Sequence, residues 1–521
     1  MNHGTSRPPT PVASVPPAPT EGVDHDAEQL GELGYEQELK RSLGVLGNLA
    51  IGFATVSPVV GLYAVAQVGT TIAGPAWVWV LPICLLGQAL LMCVYSELAS
   101  QYPIAGGAYQ WARRLVGPTY AWLAGWVGMC AVVFANTTIV YLGAPWFFAL
   151  FEAEPTPGRI VVVAAIFLAC CTAINAFGID VLRWVLAAGI AAEALASLGV
   201  GLALLLVFRE NGFGILTDTM GAEALSGGST LSAMAAALAV GGWAFFGFDA
   251  CVSSSEETKD AARHVPKAIW WTLISVGGLV VLNAVAAELA HPDPAKVVAG
   301  EDLDPVTTAV VNSFGSWSAK PFVVVVIIAF VACALASQAA AARSVYSVSR
   351  DGVLPASRAL RKVSRRQAPI GALVITAAIS CLALLLALNS AAIGSLITFG
   401  SAAMYLQFLL IALAALIARL RGTWTPGGLV RLGRWGTPLN VLAVAWLAFE
   451  FVNIAWPRKI LAPPGAPAYQ VWAAVLGITV VVTSGVLYLL LARPQDKVRV
   501  SESFGDRGTE AQTSVPVRSN V

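Results

Sequence analysis

The chain has 521 residues, of which 57% are apolar and only 12% charged, and its mean hydropathy is +0.73. Soluble domains are about a quarter charged, so the composition specifies an integral membrane protein. A net charge of +1 excludes a nucleic-acid-binding surface built on excess positive charge.

His3, His25, His264 and His291 all fall outside the apolar runs, which removes a His-ligated haem or a zinc site at membrane depth. No GxxxxGK[ST] loop occurs, which argues against an ATP-driven pump, and no Gly-x-Ser-x-Gly turn occurs. Neither an intramembrane enzyme nor a metal or cofactor is expected. The eight cysteines lie in apolar segments without a CxxC pair and read as small buried hydrophobes.

Residues 1–39 are rich in Pro, Glu and Asp and are expected to form a disordered cytoplasmic tail, with no cleaved signal peptide. Residues 40–492 hold twelve apolar stretches long enough to cross a bilayer. They run at 43–69, 74–99, 119–151, 160–179, 182–208, 231–255, 266–290, 321–343, 369–388, 391–419, 437–457 and 468–492. Only Asn389 and Ser390 separate the ninth from the tenth. Residues 493–521 read as a second disordered tail. Assigning both tails and the even-numbered loops to one side collects nearly all of the 31 basic residues. Arg159, Arg209, Lys296, Lys320, Arg458 and Lys459 remain on the other. Basic loops stay inside, so both termini are expected in the cytoplasm, with the protein in the cell membrane.

Two spans are interrupted. Span 1 contains Ser57-Pro-Val-Val-Gly-Leu-Tyr63, and span 6 contains Trp243-Ala-Phe-Phe-Gly-Phe-Asp249. Unwound backbone or a carboxylate in lipid is tolerated only where protein or a water-filled cavity surrounds it. Paired breaks in two halves mark an inverted-repeat secondary transporter. Pro58 removes a donor and Gly61 lets the chain turn, so groups from Ser57 through Val59 to Gly61 are expected to hold a substrate carboxylate. Phe246, Gly247 and Phe248 are expected to offer carbonyls and aromatic faces to an ammonium group. Asp249 follows as a candidate substrate contact or a structural acid.

Three stretches carry a resemblance. Ser96-Glu-Leu-Ala-Ser-Gln-Tyr-Pro-Ile-Ala-Gly-Gly-Ala-Tyr-Gln-Trp-Ala-Arg113 follows span 2. Phe246-Gly-Phe-Asp249 precedes Glu256-Glu-Thr and Arg263-His-Val-Pro266, and Ile72-Ala-Gly-Pro-Ala76 enters span 2. Together these resemble the amino acid–polyamine–organocation superfamily, and the Ser57–Tyr63 break is similar to its amino acid/choline branch. The resemblance implies an all-α membrane fold with a five-plus-five inverted repeat. Its halves would be 43–208 and 231–419, with additional helices at 437–492. It also implies that Asp249 lies just past the unwound turn.

Glu193 stands in span 5 with no basic residue within two turns. A carboxyl held away from water and without a cation favours its protonated form, as a proton-coupling group requires. It is the candidate coupling residue, with a protonated interhelical hydrogen bond as the bland alternative. Asn136 and Tyr405 are candidate cavity residues, and Ser337 with its neighbour Gln338 lies where a sodium ion would find oxygen ligands; each also fits an interhelical hydrogen bond. Glu97, Glu288 and Glu450 lie towards span ends and read as structural. The function expected is a permease for an amino acid or related small amine, proton-coupled or exchanging. Choline, γ-aminobutyrate and polyamines remain open, and a transporter-like nutrient sensor is the distant alternative.

Overall fold

The computed structural model describes residues 25–177, 179–388, 393–462 and 465–497, and among them there is no β-strand. Among them eleven helical stretches, two of them interrupted, are long and apolar enough to cross a membrane. The first, Val45–Gln101, has 57 residues and is long enough to cross twice, which brings the crossings to the expected twelve.

A short helix, α1 (His25–Glu32), precedes the bundle. Span 1 is divided into α2 (Val45–Val56) and α3 (Pro58–Ala73), and span 2 is α4 (Val80–Gln101). A connecting helix, α5 (Gly107–Leu115), leads to span 3, α6 (Pro118–Leu150), and span 4, α7 (Pro157–Ala176). Span 5 comprises α8 (Ile179–Glu193), a π-helical stretch from Ala194 to Val200, and α9 (Gly201–Leu206). Span 6 is divided into α10 (Thr230–Gly241) and α11 (Ala250–Ser253), and span 7 is α12 (Ala261–Ala290). Two loop helices, α13 (Pro294–Val298) and α14 (Pro305–Phe314), precede span 8, α15 (Ala319–Arg350). After α16 (Ser357–Leu360) come spans 9 and 10, α17 (Ile370–Leu384) and α18 (Ile393–Leu420). The chain ends in span 11, α19 (Gly436–Ala455), then α20 (Ala468–Val471) and span 12, α21 (Ala473–Ala492).

Small residues let the central helices approach closely. Gly189 of α8 sits against Ala332 of α15, and Gly143 of α6 against Phe330. Span 8 thereby contacts spans 1, 3 and 5 and runs through the middle of the molecule. Glu288 is satisfied in place: it accepts from the Thr70 hydroxyl at 2.5 Å and the Trp77 indole at 2.7 Å, tying span 7 to spans 1 and 2.

Two expectations are corrected. Span 8 does not end at Arg343 but continues helical through Arg350, and the extra turns carry arginines that stay buried. Those charges are paired with acids from span 6, so the helix continues past its apolar run. Residues 25–39 do not behave as a tail. The Tyr35 hydroxyl donates to Asp351 at 2.7 Å, Glu38 accepts from Tyr346 at 2.8 Å, and Asp26 accepts from the backbone N–H of Asp260 at 2.7 Å. The polar composition that suggested disorder instead complements the charges on the face where span 1 begins, called here the basic face. The remainder of both expected tails (1–24 and 498–521) and the Asn389–Ser390 boundary lie outside the described residues.

Candidate functional site

The two breaks meet. Span 1 turns at a single residue, Ser57, whose φ of 49° and ψ of 109° interrupt the helix. Its hydroxyl caps the restart by accepting from Val60 N–H at 3.1 Å, with Pro58 at the first helical position where no donor is needed. Span 6 leaves the α-helix at Gly242, passes an extended Phe246, and turns at Gly247 with φ +102°. A side chain at Gly247 would place its Cβ 2.7 Å from Thr55 Cγ2, so only glycine lets the second break close on the first. Gly61, expected to form the turn, lies inside α3 instead. It is small because the backbone of Ala244 passes 3.1 Å from where its Cβ would be.

Below the breaks, α2 and α11 are fastened together. Asn48 donates to the Cys251 carbonyl at 3.0 Å and to the Thr258 hydroxyl at 2.7 Å. The N–H groups of Ser42 and Leu43 donate to the Glu257 carbonyl at 2.9 and 2.8 Å. These two half-helices form one unit at the basic face.

Between the breaks and spans 3, 8 and 10 lies a cavity of about 50 Å³. Its polar lining includes Thr55, Asp249, Ser253, Ser337 and Ser344, and its apolar lining includes Val60, Ile139, Trp243, Phe246 and Met404. On the side away from the basic face, Tyr63 lies one turn beyond Val60. Its ring packs edge-on against Trp146 at 4.7 Å and its hydroxyl shares a hydrogen bond with Thr307 of α14 at 3.0 Å. Asp249 is half-buried and accepts from the Gln407 amide at 3.3 Å.

Glu193 ends α8 where the helix widens into the π-helical stretch, and its carboxyl is fully buried. The polar groups facing it are the Ser57 hydroxyl and the Val59 N–H, at the N-terminus of the half-helix α3. Neither carboxyl oxygen completes a hydrogen bond of good geometry. The acid from span 5 thus points at the break in span 1. Cys333 of span 8 adjoins the same place, 3.3 Å from the Thr55 carbonyl.

The basic face is closed by ion pairs. Arg350 makes a two-pronged contact with Glu256 at 2.6 and 3.0 Å, and Arg343 does the same with Glu257 at 2.7 and 3.2 Å. Glu256 also accepts from the N–H of Ala105 at 3.2 Å. Arg113 of α5 pairs with Asp351 at 2.6 Å, and Glu97 is bound by Arg419 and by the N–H of Leu432 at 3.0 Å. The ring of Tyr35 lies under the Arg350 guanidinium, 4.4 Å from its centroid.

Of the residues expected at the site, Phe246, Gly247, Asp249 and Ser337 line the cavity. Ser57, Pro58, Val59 and Gly61 form the wall behind it, with Ser57 and Val59 turned towards Glu193. Tyr405 is fully buried behind Phe246, ring to ring at 5.2 Å, and its hydroxyl accepts from Gln88 at 3.2 Å. Phe248 stacks on Phe408 at 5.3 Å, and Asn136 is buried in span 3 outside the lining. Sequence reasoning missed Thr55, Met404 and Gln407. Of these Gln407 carried a signal, an amide in an otherwise apolar stretch.

Apolar helical stretches enough for about twelve crossings among the described residues, two facing breaks and a cavity between them fit a multi-pass transporter. The chain matches the amino acid permease family over residues 43–492, and it belongs to that family. It is 26% identical over 512 residues to the amino-acid permease BAT1 of Arabidopsis thaliana, covering 90% of this chain and 94% of that one. The BAT1 homolog of Oryza sativa subsp. japonica is 28% identical over 505 residues, again covering 90% and 94%. The low-affinity putrescine importer PlaP of Escherichia coli is 28% identical over 265 residues, which is 50% of this chain and 57% of that protein. All of these names are those of permeases or importers.

Proposed function

We propose that this protein is a secondary active transporter that carries an amino acid across the cell membrane by alternating access, with Glu193 binding the coupling proton. The observation that carries this reading is the buried, unpaired Glu193 carboxyl at the positive end of α3, beside the cavity. A helix N-terminus attracts one negative charge readily. A substrate carboxylate drawn to the α3 terminus meets a Glu193 that competes for the same dipole when ionised. A proton on Glu193 removes the competition, so substrate and proton bind together and leave together.

The faces of Trp243 and Phe246 are suited to the substrate ammonium. The gate then opens by moving the α2–α11 unit away from span 8, parting Arg343 from Glu257 and Arg350 from Glu256. The concentration of basic residues on that face supports a cytoplasmic orientation for it and for both termini. A diamine is the second reading, favoured by the likeness to a putrescine importer and by a carboxylate in the cavity wall.

The test is uptake of labelled amino acids, γ-aminobutyrate, choline and putrescine into proteoliposomes, under a proton gradient, a sodium gradient or neither. Proton-stimulated uptake of a zwitterion, with stimulation lost in Glu193→Gln, is the expected result. Uptake indifferent to the proton gradient in the wild type would refute the coupling reading, and uptake of putrescine alone would favour the diamine.

A further inference from the structure

Asp249 does not line one cavity but two. On its other side, towards the basic face, a second cavity of about 30 Å³ shares Asp249, Ser253 and Ser344 with the first. Tyr95, Tyr109 and Gln407 also line it. All three side chains are at least nine-tenths buried, yet the hydroxyl of Tyr95 and the Gln407 carbonyl oxygen have no hydrogen-bond partner. Buried polar groups are ordinarily paired, and two orphans lining one cavity call for a shared polar occupant. A water needs about 10–15 Å³ of such space and two to four polar partners, so the cavity suits one or two waters.

Beyond the cavity the polar groups continue. The Tyr109 hydroxyl faces the Asp351 carboxylate. Asp351 is held by Arg113 and Tyr35 and lies on the wall of an open groove at the basic face. The groups that face Asp249 are Tyr95 from span 2, Gln407 from span 10 and Cys251 on its own span. Spans 3 and 8 bring Gly128, Met129 and Ser344, none of them charged.

We infer that Asp249 exchanges a proton with the basic face through water held in this lower cavity, relayed by Tyr109 to Asp351. The inference rests on the reading that the protein carries protons with its substrate, and it adds Asp249 to Glu193 as a second group that holds one. In the step, the Asp249 O–H proton passes to water. Water passes a proton to the Tyr109 oxygen as Tyr109 gives its own to Asp351, which releases it to the groove. No bond other than O–H changes, and no co-reactant is needed. The route runs beside the gate, so the proton leaves while the Arg343–Glu257 and Arg350–Glu256 pairs still hold the substrate back.

Proteoliposomes carrying wild type, Tyr109→Phe or Tyr95→Phe separate this role from a structural one. Net uptake under a proton gradient requires the proton to leave, because the empty carrier must return. Exchange of internal for external labelled substrate at equal pH does not, because the carrier returns loaded. For Tyr109→Phe, net uptake is expected to slow about tenfold or more while exchange stays within about twofold. Tyr95→Phe, which removes a water partner but not the relay, is expected to fall between wild type and Tyr109→Phe. Equal loss of both activities in Tyr109→Phe, or no loss of either, would overturn the relay. Wild-type uptake that ignores the proton gradient would overturn the coupling reading itself, and the relay with it.

Discussion

Acids in two regions of this molecule are treated in opposite ways. At the basic face, Glu97, Glu256 and Glu257 each meet an arginine and, for the first two, a backbone N–H. At mid-depth, Glu193 has no cation, and Asp249 has a single amide donor. Ion pairs held by several hydrogen bonds lock two elements together, while a buried carboxyl with no cation beside it holds nothing in place. One residue type therefore serves as a latch in one place and, in the function proposed above, as a proton carrier in the other.

The comparison breaks most sharply at the gate. Arg343→Ala leaves Glu257 buried without its cation, a loss of about 3–5 kcal/mol. It should appear as a large drop in thermal stability in detergent and as faster labelling of Cys333 from the basic face. Replacing both partners, Arg343→Met with Glu257→Leu, should restore most of the stability, and failure to do so would mean that the pair does more than neutralise itself.

Gly247→Ala comes next. Its left-handed φ and the contact with Thr55 together cost roughly 1–3 kcal/mol. Transport should be lost while the protein still reaches the membrane, as measured by uptake against surface expression. Ser57→Ala removes a cap, about 0.5–2 kcal/mol, and should weaken substrate binding more than stability, read by titration of the purified protein.

The smallest effect on stability belongs to Glu193→Gln, with a melting temperature within a few degrees of wild type. If Glu193 were a latch like Glu257, its neutralisation would instead cost as much as breaking the gate.

Much of the fold was legible in the sequence. Long apolar runs must cross a bilayer as helices, and Gly247 and Ser57-Pro58 could only interrupt them. The site was legible in part. Phe246, Gly247 and Asp249 line a cavity, and an unwound turn in lipid has to face a cavity or be covered by protein. Tyr405 and Phe248 could not be told apart from lining residues, since an aromatic next to a break can face either the cavity or the helix behind it. The ordered segment from α1 to Arg41 was misread for a similar reason. Its polar residues signal disorder until the opposite charges of α5 and α15 are seen beside them.

Sequence alone determined the membrane class, the twelve crossings, the two breaks and the lone charge at Glu193, since each follows from hydropathy, backbone chemistry or spacing along one chain. Tertiary structure decided what those features meet. Glu193 and Ser57 are far apart in the chain, and only the packing of spans 1, 5 and 8 brings the acid to the half-helix terminus. The arginines of span 8 are likewise ordinary basic residues until the α2–α11 unit sets Glu256 and Glu257 against them. Charge and hydrogen bonding act over a few ångströms, and contacts of that range between distant residues are made by the fold.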